Sequence, residues 1–294
     1  MTAADALRAA AQGLRASGSR SPRLDAELLL ATVLGVDRVG LFRRPERELT
    51  AEEAAHYADL VRRREAHEPV AYIRGERTFR ALDLEVTPAV LIPRPETETL
   101  VDVALELLRG VAGPERPEPL VLDVGTGSGC VALSLTAENP FVHVVAVDLD
   151  EEALEVARRN TARHGLEGRI DLVRSDLFGG LPSGQRFDMV VSNPPYIPAA
   201  EYEALEPNVR EYEPRLALYG GEDGLDIYRR LVPAAAACLR PGGGLAVEVG
   251  KGEAEAVREL FAAAGRFGPV RERADLGGIP RVLFARLART GAGD

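Results

Sequence analysis

From residue 119 onward the chain alternates short apolar runs with polar-faced helical stretches, and few folds tolerate that rhythm. PLVLDV (119–124), VHVVAV (142–147), IDLVR (170–174), FDMVVS (187–192) and LAVEV (245–249) read as strands. Between them lie segments of helical period such as EEALEVARRNTARHG (151–165). Strands that are apolar on both faces and separated by helices predict a parallel sheet covered on both sides. Ligands of such sheets bind beyond the carboxyl ends of the strands, so the residues following each strand carry the functional information.

The first strand runs into Gly125-Thr126-Gly127-Ser128-Gly129, preceded by Asp123. Glycines there allow a tight strand-to-helix turn and let a ligand lie against bare backbone, although a plain tight turn explains many such runs. The second strand ends at Asp148, 23 residues after Gly125, where a carboxylate can accept both hydroxyls of a ribose. A helix N-cap is the other reading of Asp148, but Asp150 is better placed for it. Dinucleotide fingerprints need a glycine where this chain has Cys130. S-adenosylmethionine carries no pyrophosphate, and acidic residues near the turn suit its sulfonium and amino acid end. After the third strand, Asp176 and Leu177 supply a polar group and an apolar wall for an adenine; a simple turn explains Asp176 about as well.

The fourth strand ends in Asn193-Pro194-Pro195-Tyr196. Proline lacks an N–H, has a fixed φ and holds the preceding residue extended, so this stretch is stiff and its carbonyls are committed to no helix. An amide or amine nitrogen could donate one hydrogen to the Asn193 side-chain oxygen and another to the Pro194 carbonyl. Its lone pair would then face the methyl group of the cofactor, with Tyr196 stacked on the planar target. A proline-rich turn alone would be unremarkable. Behind the glycine turn and two spaced acids, the combination predicts methyl transfer.

The DxGTGSG and SNPPY runs, with IPRPETE (92–98), resemble the HemK/PrmC-type protein-glutamine methyltransferases. GGEDGLDIYRRL (220–231), LRPGGGLAVEVG (239–250) and DLGGIPRVLFARL (275–287) extend the likeness over nearly the full chain. The resemblance implies a Rossmann-like class I methyltransferase domain, with a seven-stranded mixed sheet, joined by a hairpin linker to a small N-terminal helical bundle. It implies transfer of a methyl group from S-adenosyl-L-methionine, leaving S-adenosyl-L-homocysteine, to the glutamine of the Gly-Gly-Gln motif of peptide chain release factors. It puts the cofactor on Gly125 to Gly129, Asp148, Asp176, Leu177 and Asn193, and the substrate on Asn193, Pro194, Pro195 and Tyr196. Asn193, Pro194 and Tyr196 are then the catalytic set. A family tryptophan corresponds to Leu177 here. NPPY is shared with adenine-N6 DNA methyltransferases, so these and a ribosomal-protein glutamine methyltransferase are the alternatives.

A chain of 294 residues accommodates two domains. Residues 1–75 read as a helical substrate-recognition domain, 76–95 as the hairpin linker and 96–294 as the methyltransferase domain. Ser21-Pro22 starts a helix whose Leu24, Leu28 and Leu29 line one face before Gly35 stops it. Thr50 and Glu53 form a capping-box pattern. In 76–92, Phe79, Leu82, Leu84 and Val86 alternate as in a hairpin. Residues 1–75 hold 12 Arg against 11 Asp and Glu, net +1, which leaves net −11 of the total −10 for the remainder. An acidic catalytic half disfavours a nucleic-acid footprint, so no direct nucleic-acid binding is expected.

No stretch is long and apolar enough for a bilayer and no signal peptide is visible, so a cytoplasmic monomer is expected. Cys130 and Cys238 lack neighbouring ligands, and neither a metal nor a disulfide is expected. His143 and His164 have no partner arranged for catalysis. Glu248 faces the cofactor end of the sheet or caps a neighbour. The resemblance puts Arg94 and Glu96 near the substrate pocket; an internal ion pair fixing the linker is the other reading of them.

Overall fold

A computed structural model describes residues 1–109 and 118–289, and the chain divides into two units. The first comprises Met1–Glu76 with Glu206–Tyr212; the second comprises Arg77–Leu205 and Glu213 onward.

The first unit is helical. Helix α1 (Ala3–Ala16) starts at Thr2, whose side chain accepts the Asp5 N–H. Helix α2 (Pro22–Leu34) has proline in its first turn and stops at Gly35, whose φ of 61° suits glycine. Short α3 (Arg38–Arg43) leads to α4 (Ala51–Glu65), and α5 (Val70–Arg74) follows. The capping box of α4 is formed: Glu53 N–H donates to Thr50 Oγ1 at 3.1 Å, and Thr50 N–H to Glu53 Oε2 at 3.0 Å. The buried face of α2 is rotated from the one expected: it carries Ala26, Leu29 and Leu30, and Leu24 is exposed. Asp25 and Glu27 are also buried, paired with Arg64 and with Arg23 and Arg38. Buried acids need those partners, and turning both towards them leaves Leu24 on the opposite side.

The second unit opens with a hairpin, β1 (Glu76–Phe79) and β2 (Leu82–Glu85), in which Phe79, Leu82 and Leu84 are buried, as is Val86 just beyond it. Then come α6 (Glu98–Arg109), β3 (Leu120–Val124), α7 (Cys130–Glu138), β4 (His143–Asp148), α8 (Glu151–Arg163), β5 (Ile170–Arg174) and β6 (Phe187–Ser192). After α9 (Ala199–Tyr202), and α10 (Pro207–Arg210) within the first unit, follow α11 (Asp226–Cys238), β7 (Leu239–Glu248), α12 (Ala254–Ala263), β8 (Arg271–Ala274) and β9 (Pro280–Arg286).

The sheet order is β5-β4-β3-β6-β7-β9-β8. Strands β3 to β7 are parallel, as the alternation predicts, while β9 runs antiparallel to both β7 and β8. This is the seven-stranded mixed sheet that the resemblance implies. Strand periodicity does not reveal β8, whose RERA sequence is mostly exposed at the sheet edge. One face of the sheet buries α6, α7 and the hairpin; the other buries α11 and α12. Asn160 of α8 fixes the hairpin to the site: it accepts the Glu85 N–H at 2.7 Å and donates to the carbonyls of Glu85 (3.0 Å) and Ser128 (2.9 Å). Among the described residues no helix is long and apolar enough to cross a membrane.

Candidate active site

Strand order reverses at β3: the chain moves outward through β4 and β5, then returns to place β6 on the other side. Ligands of open α/β sheets bind at such a point. Val124 pairs with Ser192 across it, so the glycine turn after β3 and the NPPY run after β6 emerge side by side. A Cβ on Gly125 would lie 4.0 Å from the Asn193 carbonyl oxygen. One cavity lies at this place. Of the expected site residues it is lined by Gly125, Thr126, Gly127, Ser128, Asp148, Asp176, Leu177, Asn193, Pro194 and Pro195.

Gly129 and Tyr196 are not in that lining. Gly129 has a φ of 84°, and a Cβ there would come within 2.7 Å of the Leu133 side chain and 3.5 Å of Ala157. Its missing side chain therefore lets α7 pack on α8. Gly127 differs: its φ is 54° and an added Cβ would meet open space. A ligand can approach that backbone without hindrance.

Two carboxylates, Asp123 and Asp148, line the cavity where the cofactor is expected. Asp148 accepts the Gly127 N–H on Oδ2 at 2.8 Å and the Asp150 N–H on Oδ1 at 3.1 Å. Burial raises its pKa above the usual carboxylate value, against the pull of those N–H groups. Each oxygen keeps lone-pair capacity for a hydroxyl donor, so a ribose diol fits. Asp150 is the N-cap of α8, accepting from Glu152 N–H at 2.9 Å. Asp123, 1% exposed, accepts from Thr126 Oγ1 at 2.7 Å and Ala132 N–H at 3.2 Å, both on Oδ2. Burial pushes its carboxyl up to about 7, and a ligand cation at the cavity would offset that penalty. Asp123 thus has the chemistry to receive a cationic amino group such as that of S-adenosylmethionine. Replacing Asp148 by asparagine is expected to weaken S-adenosylhomocysteine binding about ten- to hundredfold, since charge-assisted hydrogen bonds are lost; calorimetric titration measures it.

Asp176 is tied by both oxygens to Arg230 Nη2 at 2.8 Å, which leaves less of its capacity for an adenine than expected. Leu177 has a φ of 51°, strained for a leucine. Ser175 holds the turn: its Oγ donates to the Leu177 carbonyl and accepts the Gly180 N–H, each at 2.8 Å. Leu177 packs against the core beneath α11 and lines the cavity as an apolar wall.

In the NPPY run, Asn193 Nδ2 donates to Thr97 Oγ1 at 3.1 Å. Among the described hydrogen bonds, neither Asn193 Oδ1 nor the Pro194 carbonyl accepts a protein donor. Two unspent acceptors therefore sit together in the cavity wall. Tyr196 turns the other way: a Cβ on Gly250 would meet its ring at 3.0 Å, and burial pushes its hydroxyl well above the usual phenol range. Its ring anchors the loop and does not line the cavity.

The GGEDG and EVGKGE runs clamp that loop from behind. Gly220 N–H donates to the Ile197 carbonyl at 2.9 Å, and Gly250 N–H to Glu253 Oε2 at 2.9 Å. Gly224 has a φ of 81°, and a Cβ there would lie 2.4 Å from the Tyr196 carbonyl oxygen and 2.6 Å from Glu253 Oε1. Gly224→Ala is therefore expected to shift the NPPY loop and lower turnover at least about tenfold, measured by steady-state methylation together with thermal melting.

Several residues escape a reading along the chain. Arg94 pairs with Glu213, not with Glu96, and Glu213 also accepts the Ile92 N–H at 3.1 Å. Thr97, from IPRPETE, accepts from Asn193, and Glu248 is buried at the end of β7. Asp123 is signalled by its place two residues before Gly125. His143 Nε2 lies 2.9 Å from Asp171 Oδ2, at the opposite end of the strands from the cavity. Cys130 packs at the start of α7, and burial pushes its thiol up to about 12, which suits a packing residue and not a nucleophile.

The mixed sheet, the glycine turn and the acids at its switch point define an S-adenosylmethionine-dependent methyltransferase, and residues 98–210 match the methyltransferase small domain model. Residues 5–75 match the PrmC N-terminal domain model. The chain is 45% identical over 286 residues to the release factor glutamine methyltransferase of Koribacter versatilis, spanning 97% of this chain and 99% of that one. It is 47% identical over 274 residues to the enzyme of the same name from Geobacter sulfurreducens, 93% of each chain. The same fold is found in the T. thermophilus 16S rRNA N2 G1207 methyltransferase in complex with AdoMet and guanosine, with a TM-score of 0.50, 23% identity, and 72% of this chain matched to 49% of that one. The chain belongs to the release factor glutamine methyltransferase family.

Proposed function

We propose that this enzyme methylates the side-chain amide nitrogen of the glutamine in the Gly-Gly-Gln motif of peptide chain release factors. The observation that carries the reading is the pair of unspent acceptors, Asn193 Oδ1 and the Pro194 carbonyl, in the wall of a cavity whose other side holds Asp123, Asp148 and Gly127. A primary amide has two N–H groups to satisfy, and these two oxygens match them. S-adenosylmethionine supplies an electrophilic methyl group when bound. Asp148 would hold the ribose and Asp123 the cationic amino acid end, while Leu177 would border the adenine. Asn193 and Pro194 would fix the nitrogen's orientation and draw electron density onto it, Pro195 would keep the strand end stiff, and Tyr196 would anchor the loop. Alignment does most of the work in such a displacement. The helical unit would recognise the body of the release factor.

The names of the relatives and the net −11 outside residues 1–75 support a protein substrate over DNA. Labelled S-adenosylmethionine is offered with a release factor, the same factor with its Gly-Gly-Gln glutamine replaced, a ribosomal protein, and DNA. Label is expected on the intact factor alone. Label on DNA or on the ribosomal protein, or undiminished label on the replaced factor, overturns the assignment.

A further inference from the structure

Asparagine is a poor helix former, yet Asn160 stands inside α8 and is fully buried. Burying a primary amide is costly unless its donors and acceptor are paired. Here all its partners are main-chain groups. Asn160 Oδ1 accepts the Glu85 N–H at 2.7 Å, while Nδ2 donates to the Glu85 carbonyl at 3.0 Å and the Ser128 carbonyl at 2.9 Å. The amide thus meets Glu85 as a neighbouring strand would, and spends its remaining hydrogen on the glycine turn.

Neither Asn160 nor Glu85 lines the cavity, but both ends of this bridge lead to its walls. Ser128 and Gly129 share a peptide unit: its carbonyl is taken by Asn160, and its N–H donates to the Thr126 carbonyl at 2.8 Å. Thr126 Oγ1 is tied in turn to Asp123 at 2.7 Å. Ala157 lies one turn before Asn160 on the same face of α8, and an added Cβ on Gly129 would come within 3.5 Å of it. Helix α8 therefore both packs against the glycine turn and bonds it from behind. On the other side, the chain leaves β2 at Glu85 and runs into Ala89, Leu91, Pro93 and Thr97, a further stretch of the cavity lining. Thr97 accepts from Asn193 Nδ2 at 3.1 Å.

We propose that Asn160 is a positioning residue for methyl transfer, fixing the glycine turn and the wall that carries Thr97 against each other. This rests on the reading of the glycine turn as the seat of the cofactor and of Asn193 as an acceptor for the target amide. An in-line displacement tolerates little error between methyl donor and nucleophile. The donor is set by the turn, and the nucleophile by Asn193, which Thr97 steadies. These groups lie on separate segments, and one buried amide joins them through three hydrogen bonds. Aspartate has nearly the same shape but lacks the NH2 group, and would set an oxygen against two carbonyls. The bridge acts in both directions: a cofactor that orders the turn steadies Glu85, and a loosened Glu85 weakens the cofactor.

The test uses the wild-type chain with Asn160→Ala, Asn160→Asp and Asn193→Ala, and melting in S-adenosylhomocysteine shows that each variant is folded. In the wild type, saturating S-adenosylhomocysteine is expected to slow solvent exchange of the Glu85 N–H about tenfold, although Glu85 is outside the cavity lining. That measurement needs no variant. Asn160→Ala is expected to lose the response and to lower kcat for a release factor about tenfold, with KM within about threefold. Its S-adenosylhomocysteine affinity should weaken about three- to tenfold. Asn160→Asp should be impaired at least as much. A role in stability alone would leave kcat of the folded, cofactor-saturated variant unchanged. Wild-type kcat in either Asn160 variant, or Glu85 exchange that ignores S-adenosylhomocysteine in the wild type, would overturn the proposal. If Asn193→Ala keeps full activity, the reading of the active site fails and the proposal with it; if it is impaired and Asn160→Ala is not, the bridge alone fails.

Discussion

Replacing Asn193 by alanine is expected to lower turnover by roughly a hundredfold or more, with S-adenosylhomocysteine affinity changed far less. The substitution removes one of the two acceptors in the cavity wall and leaves the other, the Pro194 carbonyl, in place. An amide nitrogen is a weak nucleophile because its lone pair is shared with the carbonyl. With one acceptor gone, the nitrogen can rotate away from the line of displacement and its N–H bonds are less polarised. The cofactor side changes little, because the Asn193 backbone stays against Gly125 and the acids lie on other strands. Single-turnover methylation of a release factor, beside a calorimetric titration with S-adenosylhomocysteine, separates the two effects. An unchanged single-turnover rate would remove Asn193 from the mechanism.

What could be read along the chain, and what could not, follows from distance in sequence. Gly125 to Ser128, Asp148 and Asn193 to Pro195 each follow a strand whose apolar run is plain, and a parallel sheet gathers all strand ends of one polarity at one edge. No partner need be known for that inference. Residues whose role depends on a partner are harder to read. Arg94 looks like the mate of Glu96, two residues on, yet its carboxylate is Glu213. Thr97 shows its value only when Asn193, 96 residues away, is seen to donate to it.

Gly129 and Tyr196 mislead for a related reason. Each sits inside a genuine motif, but a motif also includes residues that shape the turn. Gly129 makes room for α8, and Tyr196 is held from behind by Gly250 and Glu253. The inclusion of Glu206–Tyr212 in the helical unit has no local signal, because it depends on what that segment packs against. The rotated face of α2 shows the same limit: apolar periodicity cannot foresee that two acids will be drawn inward by arginines.

Asp123→Asn is expected to make the protein more stable at pH 8 and less able to bind its cofactor. The carboxyl of Asp123 is raised to about 7 by burial, from the 3.8 of an ordinary aspartate. Between those values an unfolded chain loses the proton that the folded chain keeps, so this group's contribution falls as pH rises and its full penalty is present above about 7. Asparagine carries no charge, and its side-chain oxygen can accept from both Thr126 and Ala132, which share Oδ2 in the aspartate. Removing the penalty should raise stability at pH 8 by about 1–4 kcal/mol, with the gain fading towards pH 4. Urea denaturation at both pH values checks the sign. The same change puts an amide NH2 beside the cavity where a cationic amino group would come, and S-adenosylhomocysteine affinity should fall at least about tenfold. A bound cation would also pull the Asp123 proton off, so wild-type affinity should weaken as pH drops below about 7 while the variant's stays nearly flat. A variant no more stable than wild type at pH 8, or one with the wild-type pH dependence of binding, would show that Asp123 is a structural acid and not the one that receives the cofactor's charge.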